Sequence, residues 1–427
     1  MRSAVYSLCL FVLFLSGCAT YRPIQRQLRQ NPQLIDHATG FALYDWEKQK
    51  MVVEHNAHQY FIPASNTKLF SFYAGLMTLG DSIPALRYVT RNDSLIFWGT
   101  GDPTLLNPNL PDTTVVRFLR KRSERLVFSA ANYSGERFGP GWAWDDFNDD
   151  YSAELAPLPL YGNFVRFTSP DRVARLDVEP RFFRDSLTAV SQRKFSRNVQ
   201  RNEGNNRFDR PEAVRPFRQD IPFRWSPELA VRLLADTLHR PVSVADIRFD
   251  RSAKTLYSLP ADSLYKRMLQ VSDNTLAEHL MLLCSSVQDT VNSAVGIQAV
   301  LQQHLADLPD KPSWVDGSGL SRYNLVSPRS IIGLLQKIYR KVPQERLFKL
   351  LAIGGSAGTI QRLYKTDRPF VFAKSGSMTG VYNLSGYLIT KKGKLLLFSM
   401  MNNNFAGSVA DMRHRTAVFL TEIYQRY

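Results

Sequence analysis

What most constrains this fold is that sheet-forming and helix-forming patterns stand at both ends of the chain, with a long stretch of different character between them. Near the start, residues 41–45 and 51–54 read as strands, and the polar stretch 46–50 reads as a hairpin turn. A helix follows near Ser65 and runs through Leu69, Phe72, Tyr73, Leu76 and Leu79, a spacing that makes one apolar face, with Gly80 as its C-terminal cap. Helical periodicity returns from about residue 255, in Leu264, Met268 and Leu269 and then in Leu276, Leu280 and Leu283. Residues 370–373 make a short strand, 384–390 and 395–401 a hairpin, and 409–424 a last helix. Strands from both ends can join one sheet, so the expected fold is α+β, with helices around an antiparallel sheet formed by 36–86 and 251–427. Residues 87–250 are then an inserted domain of short strands and proline turns. Between Arg166 and Arg224 they carry fourteen Arg or Lys against eight Asp or Glu, which reads as a solvated basic face. Within them, 200–210 has almost no apolar residue and reads as a mobile loop.

The N-terminus sets the compartment. Arg2 gives a positive start, residues 4–15 are almost wholly apolar, and Ser16 and Gly17 follow, which is the pattern of a signal peptide over 1–17. The junction Leu15-Ser16-Gly17-Cys18 resembles a bacterial lipobox, and the resemblance implies cleavage before Cys18 and lipidation of its thiol, with 18–35 as a tether leading into a short helix. A plain secretory signal with an incidental cysteine is the alternative. Cys9 leaves with the signal and Cys18 is blocked, so Cys284 stands alone without a disulfide partner, and its apolar neighbours mark it as a core thiol. The formal charge of +16 suits nucleic acid, anionic lipid or acidic polymers, and export removes the first of these. The expected location is the bacterial cell envelope, with the membrane engaged through the lipid.

Three short segments carry chemistry. Ser65 and Lys68 are three apart on a helix, which puts a hydroxyl and an amine on one face. A serine becomes a nucleophile only beside a base, and lysine serves as one only where desolvation or positive neighbours lower its pKa. Ser272-Asp273-Asn274 offers a second hydroxyl as a proton shuttle and an amide to hold Lys68, although the same residues also make an ordinary helix cap. Lys374-Ser375-Gly376 at a strand end offers a cation and a hydroxyl for a substrate carboxylate, with a glycine for close approach. Each segment alone is weak. Their order along the chain is the one used by penicillin-binding proteins and related β-lactamases.

On these motifs the chain resembles the D-alanyl-D-alanine carboxypeptidase/endopeptidase family, the low-molecular-mass class C penicillin-binding proteins. The 204 positions from Lys68 to Ser272 (272 − 68) leave room for an inserted domain, unlike the shorter gap of compact β-lactamases. Gly99-Thr100-Gly101-Asp102-Pro103, Pro140-Gly141-Trp142-Ala143-Trp144-Asp145-Asp146 and Asp316-Gly317-Ser318-Gly319-Leu320-Ser321-Arg322 resemble further family segments. The likeness covers 38–427, more weakly from 167 to 250. One departure is Ser375, where the family usually has threonine.

The resemblance implies a penicillin-binding catalytic fold acting on peptidoglycan stem peptides, with β-lactams as inhibitors. Ser65 would attack the penultimate D-alanine carbonyl, with Lys68 as base, Ser272 as relay and Asn274 as a holding amide. The backbone N–H groups of Ser65 and Ser377 would form the oxyanion hole, and Lys374, Ser375 and Gly376 would receive the terminal carboxylate. Asp146, Tyr151, Arg322 and Met378 would line a pocket for the stem side chain. No cofactor or metal is expected, because the seven histidines are scattered and there is no phosphate loop or dinucleotide fingerprint. Two other readings stay open: a serine β-lactamase, which needs a deacylating base such as Glu278, and a non-catalytic peptidoglycan-binding lipoprotein.

Overall fold

The computed structural model describes residues 21–31, 36–169, 176–188, 199–210 and 216–427. The signal segment and Cys18 lie outside them.

One sheet does join the two ends of the chain. Its order is Ala352–Ile353, Val371–Met378, Val381–Ile389, Leu395–Asn403, Ala38–Asp45, Lys50–His55, and every neighbouring pair is antiparallel. Alternation along a strand sends successive side chains to opposite faces. In Ala38–Asp45, Ala42 and Tyr44 enter one apolar core with Phe72, Leu264, Leu276 and Leu335, while Phe41 and Leu43 enter a second with Leu420 and Ile423. The sheet is therefore buried on both faces, between a group of helices and the last helix, Val409–Arg426. Each fully buried Leu or Phe contributes about 1.5–3 kcal/mol, so these two layers dominate the stability of the catalytic half. Within the first layer Cys284 is buried, and its thiol is pushed up to about 12 by desolvation, an inert core residue as expected.

A five-stranded sheet, Val242–Val244, Arg125–Ser129, Ser94–Gly99, Ser82–Arg91, Lys254–Pro260, has its own core around Phe97, Phe128, Val165 and Leu234. It takes in residues a few positions beyond 87 and 250 at each end. Lys254–Pro260 is thus a strand, and the expected helix begins only at Ala261 (Ala261–Val271).

Several local expectations differ from what is found. The helix after Ser65 ends at Thr78, with Leu79 extended, and Gly80 is not among the positive-φ glycines, so it supplies no left-handed cap. By contrast, the short helix expected with the tether is present as Arg22–Gln30, whose Ile24 and Leu28 are buried against the second core. Residues 200–210 are a tied structure: Gln200–Arg201 pairs with Phe208–Asp209, and buried Arg201 donates to the carbonyls of Pro222, Asn202, Glu203 and Asn205. A polar stretch reads as loop because arginine counts as hydrophilic, yet five fixed donors can satisfy a ring of backbone carbonyls.

Candidate active site

The nucleophile segment is a 3-10 turn, Ala64–Thr67, that runs directly into the helix Lys68–Thr78. Ala64 has a positive φ of 46°, a strained conformation for a residue with a Cβ. Two glycines make room for this turn. A Cβ on Gly319, itself at φ +82°, would stand 1.9 Å from the Ala64 carbonyl oxygen, and one on Gly376 would stand 2.9 Å from the Ser65 nitrogen. Glycine is required at both places because another backbone passes there.

Ser272 is the left-handed C-cap of Ala261–Val271, at φ +67°, and Asp273 caps the next helix, Asn274–Ser286, by accepting from the Leu276 N–H. The capping role and the site role therefore coexist: the break between two helices is what holds Ser272 and Asn274 side by side. Lys374-Ser375-Gly376 lies inside the strand Val371–Met378 rather than at its end.

These elements converge on Lys68, whose ammonium is fully buried. Its Nζ donates to Ser65 Oγ at 2.9 Å, to Asn274 Oδ1 at 2.7 Å and to the Ser318 carbonyl at 2.8 Å. Desolvation lowers the pKa of Lys68 to about 8, although Glu278, Asp316 and Asp273 oppose the shift. About a tenth of the amine is then neutral at pH 7, against less than a thousandth for a solvated lysine. Lys374 is also fully buried, and desolvation together with the charge of Lys68 holds it well below the ordinary lysine range. Its Nζ donates to Ser272 Oγ at 2.9 Å and to the Ser375 carbonyl at 2.6 Å. Ser272 is thus bonded to the second lysine, and Lys374 points inward rather than lining the cleft.

Two acidic side chains, Glu278 and Asp316, stand near Lys68. Glu278 accepts from the Gly317 and Ser318 N–H groups at 2.9 and 2.7 Å, and burial pushes its carboxyl upward. Asp316 accepts from the N–H groups of Gly319 and Ser321, from Asn324 and from the Trp142 indole at 3.0 Å. Together they fold the 316–321 segment so that the Ser318 carbonyl meets Lys68. Of this segment, which carries part of the family resemblance, the sequence marked only Arg322 as a site residue. Its signal for the rest was Asp-Gly-Ser-Gly itself, an acid followed by residues able to offer it backbone donors.

Above this buried layer lies a cleft of about 630 Å³ lined by Ser65, Ser272, Asn274, Ser375 and Ser377 on the catalytic side. Asp146, Tyr151, Arg322 and Met378 line it as well. Ser375 Oγ is 2.6 Å from Thr359 Oγ1, a partner that the sequence did not suggest. The Tyr151 hydroxyl stands 3.0 Å from a carboxylate oxygen of both Asp146 and Asp149, the Asn274 amide donates to the Tyr151 carbonyl at 3.1 Å, and Arg322 donates to the Thr379 carbonyl at 3.1 Å. Partial burial and the nearby Asp149 and Asp145 raise the pKa of Asp146, while the Tyr151 hydroxyl opposes this. No group of three or more His, Cys, Asp or Glu among the described residues is placed to hold a metal.

The model of the D-Ala-D-Ala carboxypeptidase 3 (S13) family matches residues 22–423. The chain belongs to this family. It is a serine-type D-Ala-D-Ala carboxypeptidase by that membership, and the expected α+β penicillin-binding fold holds. The S13 enzyme is similar to the D-alanyl-D-alanine carboxypeptidase DacB of Haemophilus influenzae, 24% identical over 425 residues that cover 88% of this chain and 87% of the relative. Its fold matches the crystal structure of penicillin binding protein 4 (dacB) from that organism with a TM-score of 0.74 at 22% identity, covering 94% of this chain and 99% of the other. The same protein complexed with a novel β-lactam matches with a TM-score of 0.68 at 20% identity, covering 93% and 99%.

Proposed function

We propose that the S13 enzyme cleaves D-Ala-D-Ala-type bonds of peptidoglycan stem peptides through an acyl-enzyme on Ser65. The observation that carries this reading is the buried amine of Lys68, held between Ser65 Oγ, Asn274 and the Ser318 carbonyl. In its neutral form Lys68 takes the Ser65 hydroxyl proton while Oγ bonds to the carbonyl carbon of the penultimate D-alanine. The backbone N–H groups of Ser65 and Ser377 receive the oxyanion, and one such donor is worth about a hundredfold or more in rate. The C–N bond then breaks, and the proton reaches the leaving amine by way of Ser272, which is polarised by Lys374. Water adds to the ester and releases the acyl group, returning the proton to Ser65.

The stem side chain is received between the inserted domain, which carries Asp146 and Tyr151, and the catalytic part, which carries Arg322 and Met378. Asp146 pairs with an ammonium group and Arg322 with a carboxylate, while Tyr151 and Met378 shape the space between them. β-Lactams acylate Ser65 and stay. Against β-lactamase activity, Glu278 spends both carboxylate oxygens on the Gly317 and Ser318 N–H groups, and Asp146 is the one carboxylate among the described residues that lines the cleft. Among the described residues, then, no carboxylate other than Asp146 lines the cleft to hold a deacylating water. The enzyme works at the cell envelope, anchored by lipid on Cys18.

Incubation with intact crosslinked muropeptides, read by mass, tests the activity and separates its two forms. Release of D-alanine marks a carboxypeptidase and release of monomers marks an endopeptidase. Penicillin labelling without either product would exclude these substrates.

A further inference from the structure

The inward setting of Lys374 leaves a gap in this scheme, because a terminal carboxylate entering the cleft needs a cation that lines it. Among the described residues two cations do so, Arg322 and Arg413. Arg322 is already bonded to the Thr379 carbonyl, past the end of the strand Val371–Met378. Arg413 belongs to the last helix, Val409–Arg426, one turn from its start. Directly opposed residues of neighbouring strands share a face, and Ser377 is opposed to Tyr382. The Tyr382 ring packs with Phe405 and Met412, and the Arg413 guanidinium lies over that ring, 5.6 Å from its centroid. Ser375 is two residues from Ser377 and so projects to the same face, whereas Lys374 and Gly376 project to the other, towards the Ser65 turn. Arg413 therefore reaches the cleft from the face that carries both serine hydroxyls. Among the described residues no carboxylate stands within ion-pair distance of it, whereas its helix neighbour Arg415 lies 3.8 Å from Asp36.

From this geometry we infer that Arg413 is the specificity-determining cation for the terminal carboxylate of the substrate, acting together with the hydroxyls of Ser375, Ser377 and Thr359. The Arg413 guanidinium lies over the Tyr382 ring and interacts with its hydroxyl, and a guanidinium has five N–H donors, enough to leave a pair for a planar carboxylate. The bond between Thr359 and Ser375 supplies the rigidity that a threonine methyl would otherwise give, which suits the serine in the third motif. Lys374 then serves Ser272 and the local potential.

The inference rests on the acylation of Ser65, so its test compares two acylating probes, benzylpenicillin and its methyl ester. The wild-type enzyme should acylate much faster with the free acid. In Arg413→Gln the second-order acylation rate with the acid should fall by about tenfold to a hundredfold, as expected for a lost charged hydrogen-bond pair, while the ester rate stays within about twofold. Arg413→Lys, which keeps the charge and most of the volume, should retain part of the preference. An acid preference left intact in Arg413→Gln, or an equal fall with both probes, would overturn the assignment. Failure of the wild-type protein to be acylated by either probe would instead overturn the reading of Ser65.

Discussion

The two sides of the cleft are built in different ways. On the acylation side, Lys68, Lys374, Glu278 and Asp316 are all buried, and each is bonded to a backbone group or a side chain held by regular structure. On the recognition side, Asp146 and Tyr151 lie in short 3-10 turns, Arg322 is in a loop, and all three are at least partly exposed. The first side fixes a reaction common to every substrate, and low dielectric is what leaves enough of a lysine neutral to act as its base. On the proposed function, the second side is the one that selects among peptides. Its parts are held by such devices as the mutual bonds of Arg201 and Asn148, which tie the 144–151 segment to the Gln200–Arg201 strand.

The contrast predicts effects of very different size. Lys68→Ala should lower kcat/KM by about a thousandfold or more, because it removes the base and leaves Asn274 Oδ1 and the Ser318 carbonyl without their donor. In the wild type the same group should set the pH profile. Lys68 is an ammonium below its pKa of about 8 and cannot accept the Ser65 proton, so acylation should rise from pH 6 and level off above pH 8. A flat profile across that window would mean that Lys68 is not the base.

Gly319→Ala comes next, at about a hundredfold in acylation rate, since the added Cβ would stand 1.9 Å from the Ala64 carbonyl oxygen and must displace the nucleophile turn. Stopped-flow acylation beside a melting curve separates misplacement of Ser65 from simple unfolding. The smallest effect should come from the recognition side. Asp146→Asn should raise KM by about tenfold for stems with a side-chain ammonium and leave penicillin acylation unchanged. An equal loss with penicillin would erase the distinction between the two sides.

The acylation side was largely legible in the sequence because its chemistry needs particular residue types at fixed spacings. Ser65 and Lys68 are one helical turn apart, and Lys374 sits on a strand. The sheet shared by both chain ends was legible for a similar reason, since its strands are runs of apolar residues. What stayed hidden depends on contacts across the fold. That Lys374 turns inward to Ser272, that Glu278 supports a backbone segment and that Arg201 orders a polar loop all follow from which groups happen to face one another. Gly80 shows the same limit at short range: glycine permits a left-handed cap but does not require one, and Leu79 left the helix first.

The central claim is that Ser65 becomes acylated, and mass spectrometry of the intact protein after incubation with benzylpenicillin tests it most directly. One stable adduct should form, digestion should locate it on the peptide that contains Ser65, and Ser65→Ala should form none. An adduct on any other residue, no adduct at all, or rapid loss of the adduct with release of penicilloate would contradict it.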